Sequence, residues 1–270
     1  MNNLTQRAVT GFFFVVVVVG AMLAGPYPFM ALCTLVTFGA LMEFYRLLIP
    51  DERLSLRVYG SITGSILFLL CMHFWDERSY NILNGVVFAL VFGTFVMELF
   101  SGAEKPFERI AYLITGWIYI AIPFVLLFDL SILDSAAYDY TLPLSVLVFI
   151  WTNDTFAYLI GRVIGRTPLF KRISPNKTVE GTLGGLVFVM IAAYIFSTTS
   201  AYFSTAQWIG LGLTAAVFGS LGDLVESMLK RSLNIKDSGT ILPGHGGLLD
   251  RFDATLLASP FVYAYVLIIS

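Results

Sequence analysis

Carboxylates embedded in apolar sequence are the first sign of chemistry in this chain. Asp154 lies in Trp151-Thr-Asn-Asp-Thr-Phe-Ala-Tyr158, and Asp223 and Glu226 close an apolar stretch in Gly219-Ser-Leu-Gly-Asp-Leu-Val-Glu-Ser-Met-Leu-Lys-Arg231. An ionisable side chain within a membrane span costs roughly 2.5 to 3.5 kcal/mol on insertion scales, so it marks a functional position with a partner. On a helix, Asp223, Glu226, Ser227 and Lys230 fall at i, i+3, i+4 and i+7, one polar face. That face either meets water at a helix end or presents a carboxylate to a cation at the membrane surface.

Downstream, Lys236-Asp-Ser-Gly-Thr-Ile-Leu-Pro-Gly-His-Gly-Gly-Leu-Leu-Asp-Arg-Phe-Asp253 sets glycines and a proline among Lys, His, Arg and Asp. Glycines let backbone approach a ligand closely, Lys and Arg neutralise phosphate oxygens, and Asp250 and Asp253 at i, i+3 offer hard oxygen ligands to Mg²⁺. A plain alternative is a turn that starts a helix, with both Asp complementing its dipole; His245 alone suits a loop hydrogen bond better than a metal. A third segment, Arg162 to Gly181, is basic and turn-rich. Its simplest uses are anion recruitment or contact with anionic lipid. Lys177 and Glu180 stand out because Ser174-Pro175 and Gly181 impose a tight return to apolar sequence.

These residues need a membrane scaffold. Of 270 residues, 57% are hydrophobic and only 13% charged, with mean hydropathy +0.82, where a soluble domain carries about 25% charged residues. A body this small cannot hide so much apolar surface from water. Net charge −2 and pI near 5.7, without a basic arm, leave no footprint for a nucleic-acid partner. Cys33 and Cys71 sit singly in apolar runs and suit neither a zinc site nor a disulfide scaffold.

A bilayer core about 30 Å thick takes roughly 20 residues of helix. On that ruler the sequence predicts an all-α, polytopic integral membrane protein with about nine spans: 10–24, 28–48, 60–74, 82–99, 110–128, 142–164, 183–197, 206–222 and 254–270. The first reads as a retained helix, since Ala21-Met-Leu-Ala24 makes a poor cleavage site. With the N-terminus cytoplasmic, every one of the 16 Lys and Arg except Arg78 falls on the cytoplasmic side, as the positive-inside rule requires. Residues 1–130 then form an amino-terminal helical scaffold, and 131–270 a carboxy-terminal catalytic region whose site faces the cytoplasm.

From Ser227 through Lys230-Arg231, Lys236-Asp237, Pro243, His245-Gly246-Gly247 and Asp250-Arg251 to Asp253, the sequence resembles the signature of the phosphatidate cytidylyltransferase family, also called CDP-diacylglycerol synthases. Asn153-Asp154, Ala157-Tyr158, Gly161-x-x-x-Gly165 and Ser174-Pro-x-Lys-Thr-x-Glu-Gly181 resemble a second block of that family, so the resemblance spans about Trp151 to Asp253. It implies the reaction CTP + phosphatidate → CDP-diacylglycerol + pyrophosphate, Mg²⁺ dependence, membrane lipid as surroundings and, for a bacterial chain, the cytoplasmic (inner) membrane. It further implies Asp223 and Asp250 as main metal ligands with Asp253 and Asp154 as helpers. Lys177, Lys230, Arg231, Lys236 and Arg251 would hold phosphates, and His245, Gly246 and Gly247 would shape their cradle. Ser227 joins this set as a substrate-side residue, and a homodimer suits the class. A CTP-dependent lipid kinase, a cytidylyltransferase acting on another lipid phosphate, and a cation-coupled transporter with a midplane acid pair stay open at this point. A polar cavity lined by Asp223 and Asp250 and open to the cytoplasm separates the enzymes from the transporter.

Overall fold

The computed structural model describes residues 3–49, 53–70, 77–133, 137–239 and 246–270. Cys71 and His245 therefore lie outside the described residues. The chain divides into two compact units, residues 1–138 with 238–249, and residues 139–237 with 250–270.

The first unit contains α1 (Asn3–Leu23), α2 (Pro26–Leu48), α3 (Leu54–Leu70), α4 (Glu77–Leu99), α5 (Pro106–Gly116), a π-helical turn (Trp117–Ala121) and α6 (Ile122–Asp129). The break between α1 and α2 is local chemistry: Gly25 takes φ 118°, a conformation open to glycine, and Pro26 opens the next helix where its missing N–H costs nothing. The π-turn has a similar origin. Pro123, at the start of α6, cannot donate to the preceding turn and its ring crowds the carbonyl four residues back, which a wider turn relieves.

Between helices in lipid, packing and interhelical hydrogen bonds replace the hydrophobic drive. The Tyr45 hydroxyl of α2 donates to the Leu113 carbonyl of α5 at 2.8 Å, and Trp117 Nε1 donates to the Gly60 carbonyl of α3 at 2.8 Å. Phe29 stacks on Phe128 at 5.4 Å, with Phe68 edge-on to the same ring. Arg57 is buried in α3 and donates through Nε to the Ile49 carbonyl at 2.9 Å, tying the α2 C-terminus to α3.

The second unit contains α7 (Thr141–Ile164), strands β1 (Pro168–Phe170) and β2 (Ser174–Thr178), then α8 (Val179–Thr199), α9 (Thr205–Ser232) and α10 (Leu249–Ile269). The strands pair antiparallel, with Pro168 opposite Thr178 and Phe170 opposite Ser174. This small hairpin is an addition to the expected all-helical pattern. Asp139, just ahead of α7, accepts from the Thr141 N–H at 2.7 Å and the Tyr202 hydroxyl at 2.8 Å. Burial opposes its charge, but the bonds from Thr141 and Tyr202 hold the carboxyl below its ordinary range. Ser204 and Gln207 form a capping box at the start of α9.

Six helical stretches are long and apolar enough to cross a membrane: Pro26–Leu48, Pro106–Asp129, Thr141–Ile164, Val179–Thr199, Thr205–Ser232 and Leu249–Ile269. Val9–Leu23, Leu54–Leu69 and Gly85–Leu99 are shorter apolar helices among the described residues. Two boundaries differ usefully from the sequence expectation. The helix expected to end at Gly222 continues to Ser232, and the last helix begins at Leu249 rather than Ala254. Asp223, Glu226, Ser227 and Lys230 are thus helical, as are Asp250 and Asp253.

Tyr45→Phe should lower stability by about 0.6 kcal/mol, the average for interhelical hydrogen bonds in a membrane protein. Gly116→Ala should cost clearly more, because its Cβ would stand 2.5 Å from the Tyr45 hydroxyl oxygen. Thermal unfolding of both variants in the same detergent checks the order.

Candidate active site

The second unit forms an open cavity of about 570 Å³ whose wall includes Asp154 from α7, Lys177 from β2, Asp223 from α9, and Asp250, Arg251 and Asp253 from α10. Each is delivered by a local structural reason. Glu180 accepts the Arg166 N–H at 3.1 Å and the Thr167 N–H at 3.1 to 3.2 Å, so the chain leaving α7 is pinned to the first turn of α8. Thr178 caps α8 by accepting the Gly181 N–H at 3.2 Å. Held at both ends, β2 places Lys177 with its Nζ 2.5 Å from Asp223 Oδ2.

Gly222 carries the second approach. A Cβ there would stand 2.5 Å from the Asp253 carbonyl oxygen, so only glycine lets α9 and α10 meet with Asp223 and Asp253 facing one cavity. Ser227 donates to Asp223 Oδ1 at 3.2 Å. Asn153 Nδ2 donates to Ser220 Oγ at 2.9 Å, joining α7 to α9 on the cavity wall.

Behind the wall lies a buried ionic cluster. Lys230 Nζ stands 2.7 Å from Asp250 Oδ1 and also pairs with Glu226, its neighbour one turn back. Glu226 is fully buried, and neither of its oxygens takes a hydrogen bond of ordinary geometry. Its compensation is therefore the Lys230 charge itself. One ammonium serves two carboxylates, an arrangement that holds Lys230 in one orientation.

Electrostatically, the cavity wall holds four carboxylates, Asp154, Asp223, Asp250 and Asp253, against the cations Lys177, Arg162 and Arg251. No three of the described His, Cys, Asp and Glu residues stand together as a ready-made metal cluster. The donor chemistry fits a hard divalent cation nonetheless: four oxygen-bearing side chains face one space with fewer cations than anions. Acids and cations on one cavity wall can hold a polyphosphate and a metal ion together.

The residues expected to act together divide into groups. Asp154, Lys177, Asp223, Asp250, Arg251 and Asp253 share the cavity, with Lys230 and Ser227 directly behind it. Arg231 and Lys236 are exposed and do not line it; Arg231 donates to the Ile235 carbonyl at 3.1 Å, closing the end of α9. Gly246 and Gly247 belong to the first unit. The sequence reading names Asn153 within the resemblance but gives it no role, and passes over Ser220; the polarity of both inside apolar helices was the available signal. It also passed over Glu43, an acid inside the second expected span.

Comparison with known proteins bears on the whole chain. The cytidylyltransferase family matches residues 5–269. A phosphatidate cytidylyltransferase of Bacillus subtilis is 34% identical over 276 residues, covering 97% of each chain. One from Staphylococcus saprophyticus is 32% identical, covering 95% of this chain and 96% of its own. One from Staphylococcus aureus is 35% identical over 204 residues, covering 75% of this chain and 76% of its own.

Lys230→Met should destabilise the protein by roughly 3 to 5 kcal/mol, because it strands buried Glu226 and Asp250 without their counter-charge. The double variant Lys230→Met/Glu226→Leu should recover much of that loss. Thermal unfolding of the single and double variants in one detergent tests it; equal losses would mean that Glu226 does not depend on Lys230.

Proposed function

Because the chain belongs to the cytidylyltransferase family, we propose that it is a phosphatidate cytidylyltransferase, which transfers CMP from CTP to phosphatidate and releases pyrophosphate. The observation that carries this reading is the cavity that sets Asp154, Asp223, Asp250 and Asp253 beside Lys177 and Arg251, with Lys230 behind. Both reactants are polyanions, and bringing them together demands cationic positioning before any chemistry.

A phosphatidate phosphate oxygen attacks the α-phosphorus of CTP in line. The new P–O bond forms as the bond to the bridging oxygen of the β-phosphate breaks, and pyrophosphate departs with the electron pair. A lipid phosphate arriving as a dianion needs no general base, so Glu226 and Glu180 keep structural duties. Lys177 and Arg251 bind phosphate oxygens at the cavity wall. Lys230 orients Asp250 through the 2.7 Å contact, and Ser227 orients Asp223 through its hydrogen bond. Arg231 and Lys236, exposed near the end of α9, act as outer attractors for the anionic nucleotide.

Mg²⁺ is the cofactor this donor set suits, with Asp223 and Asp250 as principal ligands and Asp253 and Asp154 as helpers. When bound, the metal neutralises charge on the phosphates in transfer. His245, Gly246 and Gly247 complete the reading as a phosphate-contacting turn. The charge asymmetry of the loops supports nine spans, a cytoplasmic N-terminus and a site open to the cytoplasm. Bacterial relatives support a bacterial cytoplasmic membrane as its place, and a homodimer is the assembly we favour.

The test is formation of CDP-diacylglycerol and pyrophosphate by detergent-purified protein given CTP and phosphatidate, with Mg²⁺ or EDTA. Product should require the metal, and Asp223→Asn and Asp250→Asn should each lower turnover at least 100-fold while the protein still inserts. Wild-type-like turnover in both variants would remove the metal assignment. CDP in place of pyrophosphate would identify a kinase. Lys177→Ala should raise KM for CTP or phosphatidate about tenfold, read from initial rates at varied substrate.

A further inference from the structure

One buried carboxylate takes no part in the reaction as described. Glu43 lies near the C-terminal end of α2, 5% exposed, among buried Ala40, Leu41, Phe44 and Tyr45. A lone glutamate in apolar surroundings is expensive unless its oxygens are fully bonded. They are: Glu43 Oε1 accepts the Leu248 N–H at 3.0 Å, and Oε2 accepts the Leu249 N–H at 2.9 Å and the Ser238 hydroxyl at 3.3 Å.

Those donors sit at the two ends of the glycine-rich segment that runs from Ser238 to Leu249, all within the first unit. The glycines beside them fit the carboxylate closely. A Cβ at Gly239 would stand 2.6 Å from Glu43 Oε1, and one at Gly247 would collide with Glu43 Oε2 and Ser238 Oγ. One turn earlier on α2, Gly39 leaves room for the Leu248 side chain, 2.5 Å from where a Cβ would be. Glu43 therefore clasps both arms of the segment. It also meets the Leu248 and Leu249 N–H groups, which a helix start leaves without an intrahelical partner.

We propose that Glu43 is a positioning residue for the transfer reaction. It holds the ends of the 238–249 segment and fixes the backbone at Leu249, from which the chain passes directly to Asp250 and Arg251. The proposal rests on the reading of this protein as a cytidylyltransferase, and it gives α2 of the amino-terminal scaffold a share in catalysis. Gln is the discriminating replacement, since it keeps the shape but turns an NH₂ toward at least one of three donors.

The experiment compares wild type, Glu43→Gln and Gly239→Ala as full-length protein in one detergent. It measures kcat and KM for CTP with phosphatidate, thermal unfolding, and amide hydrogen exchange. Glu43→Gln should lose at least tenfold in kcat with KM for CTP within threefold. Exchange should accelerate at least tenfold in peptides covering 246–250, with no change in α7. A kcat within threefold of wild type, or a loss matched by faster exchange throughout the protein, would overturn the proposal. Should Glu43→Gln fail to fold, Gly239→Ala decides: the same localised exchange and kcat loss support the clasp, and wild-type kcat overturns it. A wild-type protein that makes no CDP-lipid would overturn the cytidylyltransferase reading and the catalytic role with it. The exchange result would then still show whether Glu43 holds the segment.

Discussion

Like charges gathered where water is scarce must be compensated, and the carboxy-terminal unit is organised around that constraint. Two carboxylates about 5 Å apart repel by about 3 kcal/mol at an effective dielectric near 20. Four of them on one cavity wall therefore depend on Lys177 and Lys230. Lys230 comes with α9, one turn beyond Glu226, and needs only helical geometry to find its partner. Lys177 comes from outside the helices and needs a separate support. The β1–β2 hairpin, the Thr178 cap and the Glu180 clamp on Arg166 and Thr167 make up that support. The hairpin, the cap and the clamp thus decide where the Lys177 ammonium stands against Asp223.

A related division of labour runs through the glycines. Gly222 contributes no group to the site, yet any side chain there would push α10 away from α9 at Asp253. Helix pairs in lipid gain their stability from close contact, so a small residue at the crossing contributes as much as the acids it brings together. Asn153 and Ser220 reinforce the α7 side of the cavity with a hydrogen bond between two helices.

How legible was this in the sequence? The polar face of α9 was readable because helical periodicity is local: Asp223, Glu226, Ser227 and Lys230 align whatever surrounds them. The start of α10 was partly readable, since Asp250 and Asp253 suit the first turns of a helix. The hairpin was not, because Pro168, Pro175 and four basic residues between 166 and 177 read as a turn-rich anion-binding loop rather than as strands. Arg231 and Lys236 look equivalent to Lys230 in the motif, and only the fold separates these two exposed cations from the one buried in an ionic cluster behind the cavity. Glu43 satisfied the criterion for an intramembrane acid as well as Asp154 did. Its partners were invisible because two of them are backbone N–H groups 205 and 206 positions away, and backbone donors leave no residue signature.

The π-turn at Trp117–Ala121 has a consequence for rotational phase. One extra residue in a helical turn rotates everything after it by about 100° relative to an uninterrupted α-helix. Trp117, which opens that turn, and Phe124 and Phe128, after it, are all buried, so the first unit's aromatic core is set for the shifted phase. A chain shortened by one residue within 117–121 would regain an ordinary helix and turn Phe124 and Phe128 out of register with Phe29 and Phe68. In this stretch the number of residues matters as much as their chemistry, and a deletion would be felt more than most substitutions.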